Sequence, residues 1–354
     1  MNTDLIREVR TCNKKELSKL IRYFCEEARE KELENLAFHG RNLRDKYYGP
    51  KVFFRGLIEI SSYCRKDCYY CGIRCSNNKA IRYRMTKKEI LQSCKLGYDI
   101  GLRTFVLQGG EDEYYTSEIL PSIIEEIRST FPDCAITLSL GESSYDTYKK
   151  LYQAGARRYL LRHETADKKH YKMLHPGQSS FEDRKSCLYN LKEIGFQVGA
   201  GFMVDSPYQT YDTLAENLIF LKELNPHMIG IGPFIPHKDT KFSDYLKPTI
   251  HNTLVLISLV RIILPKAMLP STTALSSIQG GARNKGLMAG ANVVMPNLTP
   301  KKYSDNYNLY DNKLNTGKEA AENLANLMES IKTISMVPDL SRGDHIDLSR
   351  EICK

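Results

Sequence analysis

An alternation repeated eight times constrains this chain more than any other feature. From residue 52 onward a short apolar run is followed by a polar or glycine-bearing loop and then by an amphipathic stretch. The runs are residues 52–60, 104–108, 135–140, 158–162, 197–203, 228–232, 267–272 and 292–295. Between them, apolar residues recur at helical spacing over 87–100, 117–130, 144–154, 184–194 and 210–224. Short runs separated by helices become parallel strands, because a helical crossover is what returns the chain to begin each parallel strand. Eight such units predict an α/β fold, a (β/α)8 barrel over residues 51–305, with functional groups at the C-terminal ends of the strands. Residues 1–50 read as two or three helices packed ahead of the barrel, with Leu17, Leu20, Ile21 and Phe24 at helical spacing. Residues 306–354 read as one more helix, over 317–334, and a charged tail from Ser341 that wraps the outside.

The loop after the first run carries Cys64, Cys68 and Cys71. Thiolates at that spacing can wrap one metal centre. A single tetrahedral ion asks for four protein ligands, whereas a cubane 4Fe-4S cluster held by three thiolates keeps one iron open for a small molecule. The plain alternative is a zinc knuckle or unligated surface thiols. Cys75 is a possible fourth ligand, and with it bound the open position would be lost. Cys12 and Cys25 read as core or surface thiols. Ten cysteines scattered over 354 residues do not make a disulfide scaffold. With no run of about 18 apolar residues and no apolar segment at Met1–Leu5, the chain reads as cytoplasmic, a compartment that suits an oxygen-labile cluster. The formal charge of +9 comes from Lys and Arg interleaved with acids, not from the long basic block of a nucleic-acid binder; an acidic protein partner or an anionic substrate is what it leaves open.

Other strand ends carry polar groups. Gly109 and Gly110 let backbone approach a ligand, and Glu111 after them can accept from an ammonium. Arg162 and Glu164 share one face past the fourth run, with His163 on the other face as a packing residue. A charged pair in a barrel mouth is costly unless satisfied, so Arg162 is matched to a ligand carboxylate and Glu164 to hydroxyl or ammonium groups; a structural salt bridge is the alternative. Arg184, opening a helix, reaches towards the same carboxylate. Thr137 and Ser139 share a strand face, Ser271, Thr272 and Thr273 end the seventh run, and Asn297 follows the eighth. Met203, Met228 and Met295 read as core.

The cysteine spacing, with the aromatic Tyr70 just before Cys71, resembles that of the radical SAM (S-adenosylmethionine) superfamily. Together with residues 82–86, 107–115, 159–166, 229–237 and 291–297 in one order, it resembles the HydE family of iron-iron hydrogenase maturases, of the biotin synthase and methylornithine synthase-like group, over about residues 45–305. The resemblance implies a TIM barrel in which one 4Fe-4S cluster gives an electron that cleaves SAM to a 5′-deoxyadenosyl radical, in assembly of the two-iron subcluster of the hydrogenase H-cluster. It implies that Cys64, Cys68 and Cys71 hold the cluster, that Tyr70, Gly109, Gly110, Glu111, Ser139, Arg162, Glu164 and Arg184 contact SAM, and that Thr137, Thr272, Thr273, Asn297 and Tyr303 line the substrate cavity. The implied partners are a small organometallic iron–cysteine substrate, a scaffold and the other maturases, and an electron donor such as ferredoxin or flavodoxin, with no nucleic acid or membrane.

Three departures stand out. No cysteine lies between Cys187 and Cys353, where many relatives carry an auxiliary cluster, so one cluster is expected. Asp205, Ser206 and Tyr208 stand where relatives more often have Gly, Leu and Gly, and Cys75 where a basic or polar residue is common. The rival readings are a methylornithine synthase-like mutase and a non-catalytic iron–sulfur or zinc module; the second makes the Gly-Gly-Glu and Arg-His-Glu stretches accidental.

Overall fold

A computed structural model describes residues 3–115, 118–177, 179–246, 248–313 and 320–349. All eight apolar runs enter one parallel ring. β1 (Lys51–Phe54) continues through Arg55 into β2 (Gly56–Ser61), followed by β3 (Thr104–Gly109), β4 (Ala135–Ser139), β5 (Arg158–Leu160) and β6 (Gln197–Ala200). Then come β7 (Met203–Val204), β8 (Met228–Ile229), β9 (Gly232–Pro233) and β10 (Val293–Val294). Six strands pair in the order β2-β3-β4-β5-β6-β8. Parallel bridges from Met228 to Met268 and from Pro270 to Val293 carry the ring onward, and β10 closes it on β1. β7 and β9 pair with each other just past β6 and β8.

Alternation along the strands decides what faces where. Ile58, Leu107, Leu138, Tyr159 and Val198 are buried in the main core, between sheet and helices. The residues between them turn inward, so Glu59, Gln108 and Ser139 lie in register as one polar layer near the C-terminal ends. The outer helices Lys87–Asp99, Ile119–Thr130, Tyr145–Ala154, Phe181–Ile194 and Tyr211–Leu224 sit where periodicity places them, although Ser117, expected in the second, is outside the described residues. Thr86, Ser144, Ser180 and Thr210 cap four of them, each side chain accepting from a first-turn N–H. Three helices, Thr3–Thr11, Lys14–Arg22 and Glu30–Tyr48, precede the barrel, and the long third one packs on His251–Ile263. The last expected helix runs over Ala320–Lys332; residues 317–319 of that expectation are outside the described residues.

The tail corrects the expectation that it wraps the outside. β11 (Val337–Asp339) pairs in parallel with β1, and the chain then turns under the barrel base. Arg158 Nη2 donates to Arg342 O at 2.8 Å and meets Asp344 at 2.6 Å, Thr104 Oγ1 donates to Arg342 O at 2.8 Å, and Arg55 Nη2 donates to Gly343 O at 3.3 Å. Both arginines are 3% exposed. Donors buried that deeply need acceptors, and the tail supplies them. Residues 350–354 of the tail are outside the described residues. Among the described residues no helix is long and apolar enough to cross a membrane.

Candidate functional site

At the other end of the barrel β2 opens into the cysteine loop, which returns through a bridge between Ser61 and Arg84. The loop has little regular structure, so its carbonyls need other donors. Arg82 serves four of them, donating to Ser62 O at 2.5 Å, Ile73 O at 2.7 Å, Arg74 O at 2.6 Å and Asn77 O at 3.3 Å. Gly110 lies against the start of the loop, where a Cβ would stand 2.1 Å from Tyr63 O. Only glycine permits that approach.

Cys64, Cys68 and Cys71 are half-buried and Cys75 is exposed. Burial pushes the Cys68 thiol up to about 12. It raises Cys71 well above the ordinary range, with repulsion from the Cys68 and Cys64 thiolates adding to the rise. The Glu111 N–H donates to Cys64 Sγ at 3.4 Å. Three neighbouring thiols that would repel one another as thiolates are a donor set that a positively charged centre would suit. Among the described residues no three His, Cys, Asp or Glu side chains converge as the ligands of a single metal ion would. The three thiols nevertheless stand near enough to repel one another as thiolates. Cys75 lies beside Asp67 and is also near enough to Cys64 to raise its thiol.

Beside the thiols, two strand ends bring two carboxylates together. Glu111 Oε1 accepts from the N–H of Glu142 at 2.9 Å and stands 3.6 Å from Arg184 Nη2, while Arg184 Nε lies 2.6 Å from Glu142 Oε1. Lys66 meets Glu142 at 2.6 Å and Arg65 meets Glu111 at 3.2 Å. Burial pushes the Glu111 carboxyl up despite Arg184. Burial would also raise Glu142, but Arg184 and Lys66 hold it below the usual carboxylate range. Gly141, at φ +79°, makes the approach possible, because a Cβ there would lie 2.0 Å from Glu111 Cγ. Glu142 was not among the residues expected from sequence. Its signal was the Gly-Glu pair that ends the third run as Gly110-Glu111 ends the second.

Arg162 Nη2 stands 3.0 Å from Glu164 Oε2, without the alignment of a hydrogen bond. Arg162 Nε and Nη2 and Glu164 Oε2 are buried and lack hydrogen-bond partners, and Glu164 sits in left-handed backbone at φ 63°. Unsatisfied groups on a strained residue are what a ligand-binding pair looks like before its ligand is counted. His163 packs away from them, against Asn217 at 3.2 Å.

Of the other expected residues, Tyr70 shares a hydrogen bond with His175 at 3.2 Å, and Gly109 packs on Leu140. Ser139 lies next to Gln108, and Asn297 Nδ2 donates to Glu59 at 3.2 Å. Thr272 has a buried hydroxyl without a partner, and Thr273 opens the helix Thr273–Ile278. Thr137 is set deeper, in a cavity of about 10 Å³ shared with Arg55 and Arg158. Tyr303 is not brought in with these: its hydroxyl donates to Glu89 at 2.8 Å, on the outer helix Lys87–Asp99, and its ring stacks on Tyr83. Four residues on, Tyr307 is 2% exposed, accepts from Gln108 Nε2 at 3.4 Å and neighbours Cys71 and Cys64.

Comparison with known proteins agrees with this geometry. The model of the Radical SAM superfamily matches residues 58–247. The chain is 44% identical over 301 residues to the [FeFe] hydrogenase maturase subunit HydE of Thermotoga maritima, covering 85% of this chain and 86% of that one. It is 28% identical over 311 residues to the 3-methylornithine synthase of Methanosarcina acetivorans, covering 87% and 86%. Among solved structures, methylornithine synthase (PylB) superposes with a TM-score of 0.81 at 25% identity, covering 95% of this chain and 97% of that one. HydG from Carboxydothermus hydrogenoformans shares the fold, with a TM-score of 0.77 at 19% identity over 95% of this chain and 82% of that one. With three neighbouring thiols at a strand end, the Arg162–Glu164 pair beside them and these likenesses, the chain belongs to the radical SAM superfamily and, within it, to the HydE family.

Proposed function

We propose that this radical SAM enzyme acts in hydrogenase maturation, in assembly of the two-iron subcluster of the H-cluster, on a small organometallic iron–cysteine substrate. The observation that carries the reading is the set of three neighbouring thiols beside Arg162 and Glu164, an ion pair whose buried atoms make no aligned hydrogen bond. Cys64, Cys68 and Cys71 would hold a 4Fe-4S cluster through three thiolates. When bound, that cluster supplies the electron that cleaves SAM to methionine and a 5′-deoxyadenosyl radical. The guanidinium of Arg162, whose Nε has no partner, matches the SAM carboxylate, and the Glu164 carboxylate, which makes no aligned hydrogen bond with Arg162, matches its hydroxyl or ammonium groups. Glu111 is placed to accept from the ammonium, and Arg184 balances the charge of Glu111 and Glu142 so that both stay together. Tyr70, Gly109, Gly110 and Ser139 complete the SAM side, while Thr272, Thr273, Asn297 and the deeper Thr137 face the substrate. Partners of this reading are a scaffold, the other maturases and a ferredoxin or flavodoxin as electron donor. The relative named as a HydE maturase is more similar than the one named as a methylornithine synthase, 44% against 28% identity, which favours maturation over mutase chemistry.

Anaerobic reconstitution with iron and sulfide, followed by electron paramagnetic resonance of the reduced protein with and without SAM, tests this. The expected result is a reduced 4Fe-4S signal that changes when SAM is added. A signal indifferent to SAM, or zinc in place of iron, would sink the radical reading.

A further inference from the structure

The pair Glu59–Lys313 has no role in the reading above. Glu59 stands in the inward polar layer of β2 with its side chain 1% exposed, and Lys313, 10% exposed, reaches it from the segment 305–313. That segment is tied down along its length. The Gly72 N–H donates to Leu309 O at 2.9 Å, the Asp311 N–H donates to Pro236 O at 3.1 Å, and the Lys238 N–H donates to Asp311 Oδ2 at 2.8 Å. It therefore joins the cysteine loop to the loop after β9.

Lys313 does more than neutralise Glu59. Its ammonium also donates to Tyr307 O at 3.0 Å and stands 4.8 Å from the centre of the Tyr307 ring. One cation thus fixes both the backbone and the ring of the residue that neighbours Cys64 and Cys71. Tyr310, on the same segment, neighbours Arg162 and Glu59. Burying an ion pair gains little over an apolar pair of the same size, so stability alone does not account for charge here. A charged pair differs from an apolar one in that water and ligands compete for its two ends. It can open without exposing apolar surface.

We propose that Glu59 and Lys313 are positioning residues: their pair latches Tyr307 and Tyr310 beside the cluster thiols and Arg162, and without it the segment 305–313 loosens and SAM is held less well. That SAM is the ligand rests on the radical SAM reading; the latch itself rests on the geometry.

The test compares the cluster-loaded parent with Lys313→Met, with Glu59→Gln/Lys313→Met, which leaves no unpaired buried charge, and with the conservative Lys313→Arg. Hydrogen exchange measured without SAM is expected to quicken by about tenfold across 305–313 in both Met variants, to stay parent-like in Lys313→Arg, and to be unchanged across 135–139 in all three. SAM affinity, read from the change SAM makes in the reduced-cluster signal, is expected to fall by about tenfold in the Met variants and to be largely kept by Lys313→Arg. Parent-like exchange across 305–313 in the double variant overturns the latch. Faster exchange with parent-like SAM affinity overturns the positioning role. A parent that gives no SAM-dependent signal overturns the radical SAM reading instead, and the exchange result still decides the latch.

Discussion

At the base of the barrel, Arg55 and Arg158 give their guanidinium groups to the carbonyls of Gly343 and Arg342 and to Asp344; at the mouth, Arg184 and Arg162 meet Glu111, Glu142 and Glu164. Both ends leave polar atoms unmatched. At the base these are Arg55 Nε, Arg158 Nε and the Thr137 hydroxyl, around a cavity of about 10 Å³ with room for roughly one water. At the mouth they belong to Arg162, whose side chain is 32% exposed, and to its partner Glu164. An orphaned buried atom does not by itself mark a site. It marks one when a ligand can reach it and reactive groups stand beside it, as the three cysteines do here.

The sharpest way to break this contrast is to remove one thiol. Cys68→Ala is expected to abolish cluster assembly and SAM cleavage, while Cys75→Ala keeps both; iron and sulfide content with the resonance spectrum measures each. At the base, Arg158→Met leaves the Asp344 charge with less compensation and is expected to cost about 3–5 kcal/mol in denaturant unfolding, with cluster content unchanged. If Arg158→Met instead empties the cluster, the two ends are not independent. Gly141→Ala places a side chain in left-handed backbone against Glu111, with an expected cost of about 1–3 kcal/mol; titration with SAM should show weaker binding.

Acid sharpens the comparison further, because the base carries its own titrating groups. Burial and His227 lower the His345 imidazole from 6.5 to about 4. The unfolded chain therefore binds a proton that the folded one refuses, so stability is full above pH 6.5 and falls as the pH drops towards 4, by about 3 kcal/mol. Burial alone would raise Asp344, but Arg158 and Arg342 hold it from 3.8 down to about 2, so its contribution is present above pH 3.8 and is lost between there and 2. Thermal unfolding against pH should show both steps, and His345→Asn should shrink the first, to which the buried His163 and His175 also contribute. The smallest expected effect is at Tyr208, which adopts left-handed backbone at φ 64°. Tyr208→Gly relieves strain but loses the ring contacts with Phe242 and Tyr245, and is expected to shift stability by less than about 1 kcal/mol.

The strands were legible because each is a compact apolar run set off by loops, and their inward polar layer was legible as alternation. His251–Ile263 gave no such pattern, since it lies between the barrel and the N-terminal helices and nine of its residues are buried around its whole girth. The base seal was hidden for the opposite reason: residues 337–349 are short, charged and joined to β1 across almost the whole chain. Cys64, Cys68, Cys71, Glu111 and Arg184 announced themselves through local motifs. Tyr303 and Tyr307 are equally plausible in sequence, and only the short helix Lys301–Ser304, which turns the first outward and the second inward, separates them.

β11 carries a consequence for synthesis. The strand that completes the edge of β1, and the carbonyls that receive Arg55 and Arg158, belong to residues translated after every barrel strand they serve. During translation the barrel base therefore stays unstoppered, with two guanidinium groups in water, until residues 337–349 clear the ribosome.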